Sequence, residues 1–585
     1  MTPTNEKLSG LLHMIAGMYR LKENNAFRAI AYQNASNSIA GLPEDISYYV
    51  KTDSLDQIPG VGKSIGEDIR EFLVKGKVKR FDQLKREVPS GLVELMDISG
   101  FGPKSLNTIH RKLKLETRDE VIGALQDGSI AGIRGFGPKK VENMLRALKV
   151  HKIIEDRMLL WDAMNMGNQL LEKLRSLPGV KNAELAGSLR RRKETVGDID
   201  ILVTCQPHDR SAIVRFFTSR TLASKVLAKG ETRASIILKS EKRQADLRIV
   251  NEKEWGSALV YFTGSKRHNI HLRSIARDRG MKISEYGVFS IKEDKWLAGR
   301  TEDKVYGKLK MDWIPPEMRE DRGEIEMAMH HRMPKLIEVS DLQGDLQMHS
   351  KWSDGVQSIS DINQYIKSHF QYNYFAVTDH SLSSRIAGGL KAAEFRKQIL
   401  EIRELNQSNK SGFIKTGVEV DILQDGLLDL DDELLADMDW VTASIHAGFA
   451  KDATERLIRA TGNPNVHCIG HPMGRLIGKR APYPADWDAV IKSCRVTGTA
   501  LEINAQPERM DISDELAIKA KEAGVKVVIS TDAHQPAQLH FMQLGVSVAR
   551  RAGLTKEDIV NAWSWPEVQR YFRRAGKHSG ISSTR

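Results

Sequence analysis

Two aspartates separated by one residue, Asp198 and Asp200, have the type and spacing that most directly indicate chemistry in this chain. Side chains alternate faces along a β-strand, so both carboxylates would point the same way while Ile199 points into the sheet. Two carboxylates at this spacing can share a divalent cation, and the preceding Gly187-Ser188 step and its three arginines would hold the phosphates that the cation neutralises. The pattern predicts phosphoryl or nucleotidyl transfer, although an exposed strand with alternating charge would also produce it.

A second group of residues with metal-binding chemistry lies in the carboxyl-terminal part of the chain. Residues 341–585 alternate short apolar runs with helical patterns, and almost every apolar run ends in a histidine or an acid. In an α/β barrel, the residues at the carboxyl ends of the strands converge on the mouth. One such histidine would usually be structural, but so many at successive strand ends predict a metal centre with imidazole and carboxylate ligands. The residues are His349, Asp354, Asp379, His380, Glu419, His446, His471, Asp532 and His534.

A glycine-rich turn occurs three times in the first 140 residues, each time before a helical pattern. Two glycines allow a tight turn that leaves backbone N–H groups open at the start of a helix, where a phosphate is favoured. Three copies, each with a nearby lysine, predict binding to a nucleic acid backbone without reading its sequence, whereas a single copy often serves packing alone. The residues concerned are Gly60, Gly62 and Lys63, then Gly100, Gly102 and Lys104, then Gly135, Gly137 and Lys139.

Length and composition limit the possible classes of protein. With 585 residues the chain is too long for one apolar core, so about three to five domains are expected. Its 41% apolar and 28% charged residues are typical of a soluble protein and argue against a structural fibre. Neither a membrane-spanning apolar run nor a basic-then-apolar leader is present, so a cytoplasmic location is expected. Cys205, Cys468 and Cys494 are too few and too scattered for a disulfide framework or a thiolate zinc site.

Charge is divided unevenly between the two parts of the chain. Residues 1–340 carry 59 Lys and Arg against 45 Asp and Glu, a net charge of +14, whereas residues 341–585 carry 29 against 31, a net charge of −2. Surface lysines of any soluble protein could produce part of this excess. The division nevertheless favours a polyanion-binding module followed by a separate enzyme-like body.

From about Trp161 to Asp312 the chain resembles the palm and fingers of a family X DNA polymerase, the polymerase beta family. The resemblance depends on Gly187-Ser188, on Gly197-Asp198-Ile-Asp200, and on Asp246 in a following strand. It implies that the three aspartates hold two Mg²⁺ ions, which activate the primer 3′-hydroxyl and bind the triphosphate. By the same resemblance Asp198 and Asp200 bridge both ions, and Asp246 is the general base or the ligand on the hydroxyl side.

The following segment resembles the sugar and base-pair region of that family. Tyr261-Phe262-Thr263-Gly264 is the matching step, which in the family packs on the deoxyribose. The match implies that Asn269 contacts the base, that Arg273 contacts the template strand, and that Arg191 contacts the triphosphate. Without the resemblance, Tyr261 and Phe262 would simply be core aromatics and Arg273 a solvated helix residue.

The glycine turns resemble helix-hairpin-helix motifs, and the first domain resembles the small lyase domain of the same family. In members with deoxyribose-phosphate lyase activity, a lysine in the helix after the first hairpin forms the Schiff base. Asp68 is at the matching position here, and a carboxylate cannot be that amine nucleophile. Weak or absent lyase activity is therefore expected, unless Lys63 or another amine substitutes.

The last 245 residues resemble a polymerase-and-histidinol-phosphatase (PHP) domain, a distorted barrel that usually holds three metals. The resemblance implies that Glu419 bridges two ions and that the remaining ligands divide among the sites. His349 and Asp532 would bind the first ion, His446 and His471 the second, and Asp354, His380 and His534 the third. Such ligands suit Mn²⁺, Zn²⁺ or Fe²⁺, and a metal-bound hydroxide would hydrolyse a phosphodiester.

One departure from the PHP pattern concerns the first metal. The family pattern opens with His-x-His, but the chain reads Gln347-Met348-His349. Glutamine offers only a neutral carbonyl oxygen or a water-mediated contact, so the first ion is expected to bind more weakly. The remaining ligands argue for retained nuclease activity, and a barrel that serves only as a scaffold is the competing interpretation.

The predicted fold class is multidomain α+β and α/β. It combines helical amino-terminal helix-hairpin-helix domains, a nucleotidyltransferase palm with a small α/β fingers or thumb-side domain, and a carboxyl-terminal distorted (β/α)7-type PHP barrel. A charged helical connector, Glu317 to Val339, is expected to act as a semi-rigid spacer, and the serine-rich tail is expected to be disordered. The predicted domains are the lyase-like helical domain (1–88), a helical DNA-binding domain (89–157), the palm (158–255), a nucleotide-selection subdomain (256–316), the linker (317–340), the PHP domain (341–576) and the tail (577–585).

The sequence therefore predicts a DNA repair polymerase that fills short gaps, with a barrel that trims 3′ ends as a Mn²⁺-dependent exonuclease or phosphoesterase. Gapped or primer-template DNA and dNTPs are the expected partners, and a monomer is expected. Two other classes stay open: a non-catalytic DNA-binding scaffold, and a small-molecule phosphatase fused to a DNA-binding arm.

Overall fold

The computed structural model of the chain describes residues 3–577 except 23–24, 41, 43–44, 59, 97, 99, 156, 241 and 409–411. Most of the predicted disordered tail, residues 578–585, lies outside the described residues. Lys577, the first residue of that tail, is buried, and its ammonium group donates to the carbonyl oxygens of Thr461 (2.7 Å) and Asn463 (2.9 Å). The ordered barrel therefore includes Lys577.

The amino-terminal part is helical. Its helices are α1 (Pro3–Leu21), α2 (Ala26–Ala40), α3 (Ile46–Lys51), α4 (Lys63–Lys75), α5 (Lys79–Glu87), α6 (Pro103–Leu113), α7 (Arg118–Gln126) and α8 (Pro138–Glu155). Helices α4, α6 and α8 each begin directly after a glycine turn, as the sequence predicts. The apolar residue inside each turn, Val61, Phe101 or Phe136, enters one core shared by all these helices, which fixes the turns against the helical body.

The next part is a mixed five-stranded sheet with three helices. Its elements are β1 (Met158–Leu159), α9 (Leu160–Arg175), β2 (Val180–Leu185), α10 (Gly187–Arg190), β3 (Thr195–Val196), β4 (Ile199–Cys205), α11 (Arg210–Phe217), β5 (Ala223–Lys229), β6 (Arg233–Leu238) and β7 (Gln244–Val250). The strand order is β2-β4-β7-β6-β5, and β1 pairs separately with β3. Strands β4 and β7 are parallel neighbours in which Asp200 lies opposite Asp246, so the sheet brings the predicted carboxylates together.

A smaller α/β unit follows. It contains α12 (Trp255–Thr263), α13 (Lys266–Asp278), an antiparallel sheet of β8 (Met281–Ser284), β9 (Gly287–Ser290) and β10 (Trp296–Ala298), and then α14 (Glu302–Lys308). The expected helical spacer after this unit is wrong, because only α15 (Glu324–Met329) is α-helical. Arg319 and Glu324 are buried and bind the small unit, Arg319 through Glu302 and Glu324 through His268. The segment is thus part of the fold.

The carboxyl-terminal part is a near-closed barrel of seven parallel strands in chain order. Its strands are β11 (Gly344–Asp345), β12 (Tyr374–Val377), β13 (Ile414–Asp421), β14 (Trp440–Ser444), β15 (Cys468–Ile469), β16 (Ala500–Asn504) and β17 (Val527–Ser530). Its helices are α16 (Ile359–His369), α17 (Ala392–Ser408), α18 (Asp432–Ala436), α19 (Thr454–Gly462), α20 (Trp487–Thr497), α21 (Asp514–Glu522), α22 (Met542–Arg551) and α23 (Trp565–Arg574). A parallel bridge between Met348 and Ala533 connects the first strand to the last. The predicted fold class is confirmed.

The palm and the barrel share one continuous apolar core. Trp161 of α9 packs edge-on against Phe541 of the barrel, with ring centroids 4.9 Å apart. The amino-terminal helices have a separate core. None of the described helices is long and apolar enough to cross a membrane.

Candidate active sites and nucleic-acid contacts

The first candidate site is the aspartate triad of the palm. Ligand oxygens of Asp198, Asp200 and Asp246 lie within 4.8 Å of one another, close enough to surround one cation. Asp198 lies just before β4 rather than within it, whereas Asp200 and Asp246 face each other across β4 and β7. Ser235 donates a hydrogen bond to Oδ1 of Asp246, and the Gln244 amide donates to its Oδ2 at 2.8 Å. These neutral donors fix Asp246 without supplying positive charge.

The electrostatics of the triad favour a cation. Burial, and then the charges of Asp198 and Asp246, raise the pKa of Asp200 to about 7. Burial and the charge of Asp246 also raise the pKa of Asp198. Like charges held this close are costly unless a positive ion lies between them, so the donor set and its repulsion fit the predicted Mg²⁺ ions.

Position 187 has no room for a side chain because it lies against the aspartate triad. Its φ is +59°, and a Cβ at this position would collide with Oδ2 of Asp200. The same turn begins α10, which carries Ser188, so the predicted phosphate-binding step lies directly beside the carboxylates. Gly197 comes immediately before Asp198, and an added Cβ there would approach Arg157 at 3.2 Å.

The predicted nucleotide-contacting residues lie at the junction of α12 and α13. The rings of Tyr261 and Phe262 are half-buried and meet edge to face, with centroids 5.1 Å apart. The Asn269 amide donates to the backbone oxygen of Tyr261 at 2.7 Å, which fixes the turn through Gly264. Arg273 is exposed one helical turn further on, and its Nε donates to the backbone oxygen of Asn269 at 3.1 Å.

Arg191 lies between the two parts of this site. Its Nε donates to Oε1 of Glu320 at 3.0 Å, and its Nη1 donates to the backbone oxygen of Thr263. Its neighbour Arg190 forms a bidentate pair with Glu302, and its Nη1 also donates to the Thr263 hydroxyl at 2.8 Å. Both arginines therefore contact Thr263, and of the two only Arg191 lies within 4 Å of a Cβ added at Gly264.

The three glycine turns have the same backbone geometry. Gly60, Gly100 and Gly135 have φ values of +80°, +93° and +94°. An added Cβ at Gly62, Gly102 or Gly137 would meet nothing within 4 Å, so the start of each following helix is open to a ligand. Lys63, Lys104 and Lys139 are all exposed beside these openings. Open helix starts with adjacent cations are suited to phosphate binding.

The second candidate site lies at the carboxyl ends of the barrel strands. It forms three overlapping groups whose ligand atoms lie within 4.8 Å of one another: His349, Glu419 and Asp532; His380, Glu419 and His446; and His349, Asp354, His380 and His534. His471 lies beside the second group, with its Nε2 2.9 Å from Oε1 of Glu419. All eight predicted ligands therefore lie in one cluster, because Glu419, His349 and His380 each belong to two of the groups.

Glu419, at the centre of the barrel cluster, has the properties of a metal ligand. It is 1% exposed, and neither of its carboxylate oxygens accepts a hydrogen bond of good geometry, although histidine nitrogens surround it at 2.9–3.5 Å. Burial opposes its ionisation, but the nearby histidines His380 and His446 outweigh burial and keep its pKa well below the usual range. A buried carboxylate with two unsatisfied oxygens fits a ligand that bridges metal ions.

Gln347 lies inside the barrel at the position of the missing histidine. It is 1% exposed, and neither its amide oxygen nor its amide nitrogen has a hydrogen-bond partner in the described part of the chain. Its side chain reaches the interior near Gly470, directly before the ligand His471. The weaker binding expected for the first ion stays a prediction.

Two further residues of the barrel site were missed from the sequence. Asp421 lies two residues after Glu419 on the same face of β13 and binds Nδ1 of His446 at 2.8 Å, which fixes that ring. Arg509 lies in the loop after β16 with its Nε 3.8 Å from Oδ2 of Asp532, and its buried Nη1 has no partner in the described residues. The spacing of Asp421 could have identified it, whereas no sequence signal distinguishes Arg509.

A cavity of about 1050 Å³ opens over the barrel ligands. His446, Asp532 and Arg509 border it from the barrel, while Asn34 and Gly60 border it from the first helical domain. The candidate metal ligands and the first glycine turn therefore border the same cavity.

Asp68 is engaged in a local pair. It is 6% exposed, accepts a hydrogen bond from the Tyr32 hydroxyl, and forms a 2.8 Å ion pair with Nε of Arg80. Burial, and then the contact with Asp68, raise the pKa of Tyr32. The site that would hold a lyase lysine is thus filled by a structural ion pair.

The chain is similar to known DNA polymerases and to a probable phosphatase. The family models described as helix-hairpin-helix domain and DNA polymerase beta thumb match residues 3–78 and 258–320. The DNA polymerase/3′-5′ exonuclease PolX of Bacillus subtilis (strain 168) is 37% identical over 569 residues, which cover 96% of this chain and 98% of that protein. DNA polymerase lambda of Rattus norvegicus is 26% identical over 309 residues, 49% of each chain. A probable phosphatase of Thermoanaerobacter sp. (strain X514) is 32% identical over 161 residues, which cover 25% of this chain and 63% of that protein.

Proposed function

The chain belongs to the family X DNA polymerases and is a DNA polymerase and 3′-5′ exonuclease, and we propose that the palm and the barrel perform these two reactions at separate sites. The meeting of three carboxylates on neighbouring strands within 4.8 Å is the observation that carries the palm assignment. In this proposal the protein fills short gaps during DNA repair, and a mismatched or blocked 3′ end passes from the palm to the barrel.

In the palm, Asp198, Asp200 and Asp246 hold two Mg²⁺ ions. Bound there, Mg²⁺ would supply positive charge that lowers the pKa of the primer 3′-hydroxyl and offsets the charge of the triphosphate. Asp246 lies on the side of the primer hydroxyl, where Ser235 and Gln244 fix its orientation. The phosphates are held by Gly187, Ser188, Gly197 and Arg191. The sugar packs against Tyr261, Phe262 and Gly264, and the base contacts Asn269.

In the barrel, the eight His, Asp and Glu ligands hold up to three Mn²⁺, Zn²⁺ or Fe²⁺ ions. Metal bound by these ligands would supply Lewis-acid chemistry for the hydrolysis of a phosphodiester. Asp421 binds the ring of His446, and the Asn504 amide donates to Asp532, so His446 and Asp532 keep their orientation when DNA enters. Water adds to phosphorus, the bond to the 3′ oxygen of the preceding nucleotide breaks, and a nucleoside monophosphate leaves.

The helical region supplies the grip on DNA. The three glycine turns and their lysines bind phosphates of gapped or primer-template DNA, and Arg273 contacts the template strand. The +14 net charge of residues 1–340 supports this assignment. We propose the domain division predicted from the sequence, except that residues 317–340 pack on their neighbours and Lys577 belongs to the barrel. We expect a cytoplasmic monomer that uses dNTPs.

We propose that the first domain has weak or absent deoxyribose-phosphate lyase activity. Asp68 has no nucleophilic amine, and Tyr32 and Arg80 hold its carboxylate in place. Borohydride trapping on a 5′-deoxyribose-phosphate substrate should give no covalent adduct. A strong adduct that Lys63→Ala abolishes would contradict this assignment.

The test of two separate sites uses a 5′-labelled primer on a one-nucleotide gap, with and without dNTPs, in Mg²⁺ and then in Mn²⁺. Asp198→Ala should abolish extension and leave shortening unchanged, whereas His446→Ala should abolish shortening and leave extension unchanged. If one variant removed both activities while remaining folded, the assignment of two separate sites would be wrong. Extension by the intact protein without shortening would make the barrel a scaffold, and turnover of small phosphomonoesters alone would favour the phosphatase alternative.

A further inference from the structure

The loop between Arg190 and Glu194 connects the phosphate-binding helix α10 to the catalytic aspartates, and it lies against the barrel. Its last residue, Glu194, forms a bidentate pair with Arg475 of the barrel at 2.6 and 3.1 Å. Lys193 is mostly enclosed: burial, and then the charge of Arg551, lower its pKa. The barrel thus contacts the loop that carries Arg191.

One barrel residue, Arg551 at the end of α22, contacts both the backbone and the side-chain partner of Arg191. Its Nη1 donates to the backbone oxygen of Arg191 at 2.9 Å and to Oε1 of Glu320 at 3.2 Å. The same Glu320 oxygen accepts the hydrogen bond from Nε of Arg191. Arg551 is 4% exposed as a residue, and its Nη2 binds Asp514, so a second buried contact fixes its position.

The shared carboxylate determines how strongly Arg191 is bound within the protein. Burial opposes ionisation of Glu320, but the charges of Arg191 and Arg551 outweigh burial and lower its pKa, so Glu320 is ionised. Arg551 and Arg191 donate to the same oxygen of Glu320, and Arg551 also binds Asp514, so a network of two arginines and two carboxylates sets the position of the Arg191 guanidinium. Without Arg551, the Arg191 carbonyl and Glu320 would each lose a donor, and the Arg191 guanidinium would be held less firmly in its present orientation.

Arg191 also has a donor left for an incoming anion. Nε binds Glu320 and Nη1 binds the carbonyl of Thr263, whereas Nη2 makes no hydrogen bond within the described residues. Its guanidinium lies beside the Thr263–Gly264 turn, where Nη1 would be 3.3 Å from a Cβ added at Gly264. A guanidinium held by two contacts, with one nitrogen open, is oriented to bind a phosphate.

We propose that Arg551 of the barrel is a positioning residue for nucleotide binding in the palm, acting on Arg191 through its backbone carbonyl and through Glu320. Arg551 does not touch the nucleotide. The barrel therefore completes the polymerase site in addition to carrying its own nuclease site. This inference rests on the proposed contact between Arg191 and the triphosphate.

The test compares Arg551→Met with Arg550→Met. Arg550 is the adjacent residue of α22, is also partly buried, and forms a similar interdomain pair with Glu317 at 2.8 Å, but it does not contact Arg191 or Glu320. Gap filling is measured as kcat and KM for the dNTP, and 3′-end shortening by the same preparations serves as an internal control for folding. Melting temperatures and the double variant Arg191→Ala/Arg551→Met complete the set.

Arg551→Met should raise the dNTP KM about tenfold with little change in kcat, because a ground-state phosphate contact is weakened. Shortening should stay at the unmodified level, and Arg550→Met should leave the KM unchanged. Arg551→Met should add little to the increase in KM caused by Arg191→Ala, because both act through one contact.

Three results would overturn the inference. If Arg551→Met and Arg550→Met had the same KM for the dNTP, the positioning role of Arg551 would be wrong. If Arg551→Met lost extension and shortening equally, Arg551 would have a general structural role instead. Full additivity with Arg191→Ala would show that Arg551 acts by another route. If Arg191→Ala itself left the KM unchanged, the proposed triphosphate contact would fail first, while the polymerase assignment tested by Asp198→Ala would stand.

Discussion

At the scale of single residues, the carboxylates of the palm triad repel one another, and a bound cation would reduce this repulsion. Asp200 is the most strongly affected member, with a pKa of about 7 because of burial and its two acidic neighbours. An unfolded aspartate has a pKa of about 3.9, so the native state without metal binds a proton more tightly than the unfolded state. As pH rises from about 4 to 7, the metal-free native protein therefore loses stability through this group.

Asp200→Asn should remove that loss. In the absence of divalent ions, the variant should be more stable than the unmodified protein by about 4 kcal/mol above pH 7, and the difference should shrink to near zero around pH 4. Thermal melts in EDTA between pH 4 and 9 measure it, with the exposed Asp278→Asn as the control. Mg²⁺ should reduce the difference at pH 8, because it stabilises only the intact triad. A difference independent of pH would contradict the electrostatic explanation.

The eight candidate barrel ligands and the three palm aspartates could be predicted from the sequence because each is a strong ligand type beside or within an apolar strand pattern. The structure brings them into two clusters, and their binding of metal stays a prediction. Arg551, Glu320 and Arg509 could not be found in this way. An arginine or a glutamate is ordinary on any surface, and these three matter only through partners far away in the chain. Arg551 and Arg191, for example, are separated by 360 residues.

Gln347 offers a direct test of the altered metal site. Gln347→His should strengthen binding of the first ion by about tenfold, because it replaces a neutral amide with an imidazole at a buried position without other partners. Isothermal titration with Mn²⁺ measures the change, and Gln347→Met, which has a similar volume but no oxygen donor, should weaken binding or leave it unchanged. An unchanged affinity in Gln347→His would show that this side chain does not reach the first ion.

At the scale of elements, the three glycine turns can be tested without disturbing the fold. Gly102 has ordinary negative φ, and an added Cβ meets nothing within 4 Å, so Gly102→Ala should fold normally. The methyl group would cover the open start of α6 and should weaken binding to gapped duplex about fivefold, as expected for one lost phosphate contact. Fluorescence anisotropy at fixed salt measures the change.

Gly123→Ala is the matched control for Gly102→Ala. Gly123 lies inside α7, also has open space around its Cβ, and is not part of a glycine turn, so this variant should bind DNA normally. Equal weakening in both variants would indicate that the loss comes from general changes in the helical domain rather than from the turn.

The elements also show where local sequence patterns reach their limit. The helix starts after the glycine turns were predictable because glycine punctuation and the following helical period agree. The structure of the connector after α14 was not predictable in this way, because its charged residues resemble those of a solvated helix. In the structure they are buried in pairs such as Arg319 with Glu302 and Glu324 with His268. Charge indicates exposure only when no distant partner exists.

At the scale of the whole molecule, the apolar cores define which parts should unfold together. The palm and the barrel share one continuous core, joined at Trp161 and Phe541, and ion pairs such as Glu194 with Arg475 cross the same boundary. The amino-terminal helices have their own core. The sequence suggested separate domains because it showed a change of pattern near residue 317, but it carried no sign of this shared core.

Differential scanning calorimetry should therefore resolve one transition for the amino-terminal helices and one for the palm and barrel together. Mn²⁺ at about 100 times its Kd should stabilise the second unit by about 2.7 kcal/mol and raise its melting temperature, leaving the first transition in place. In an Asp198→Ala background, where Mn²⁺ cannot occupy the intact triad, the shift should persist, and adding His446→Ala should greatly reduce it. If Mn²⁺ moved a barrel transition while a distinct palm transition stayed fixed, the palm and barrel would be independent folding units. In that case the contacts of Arg551 with the palm would be too weak to hold the two parts as one body.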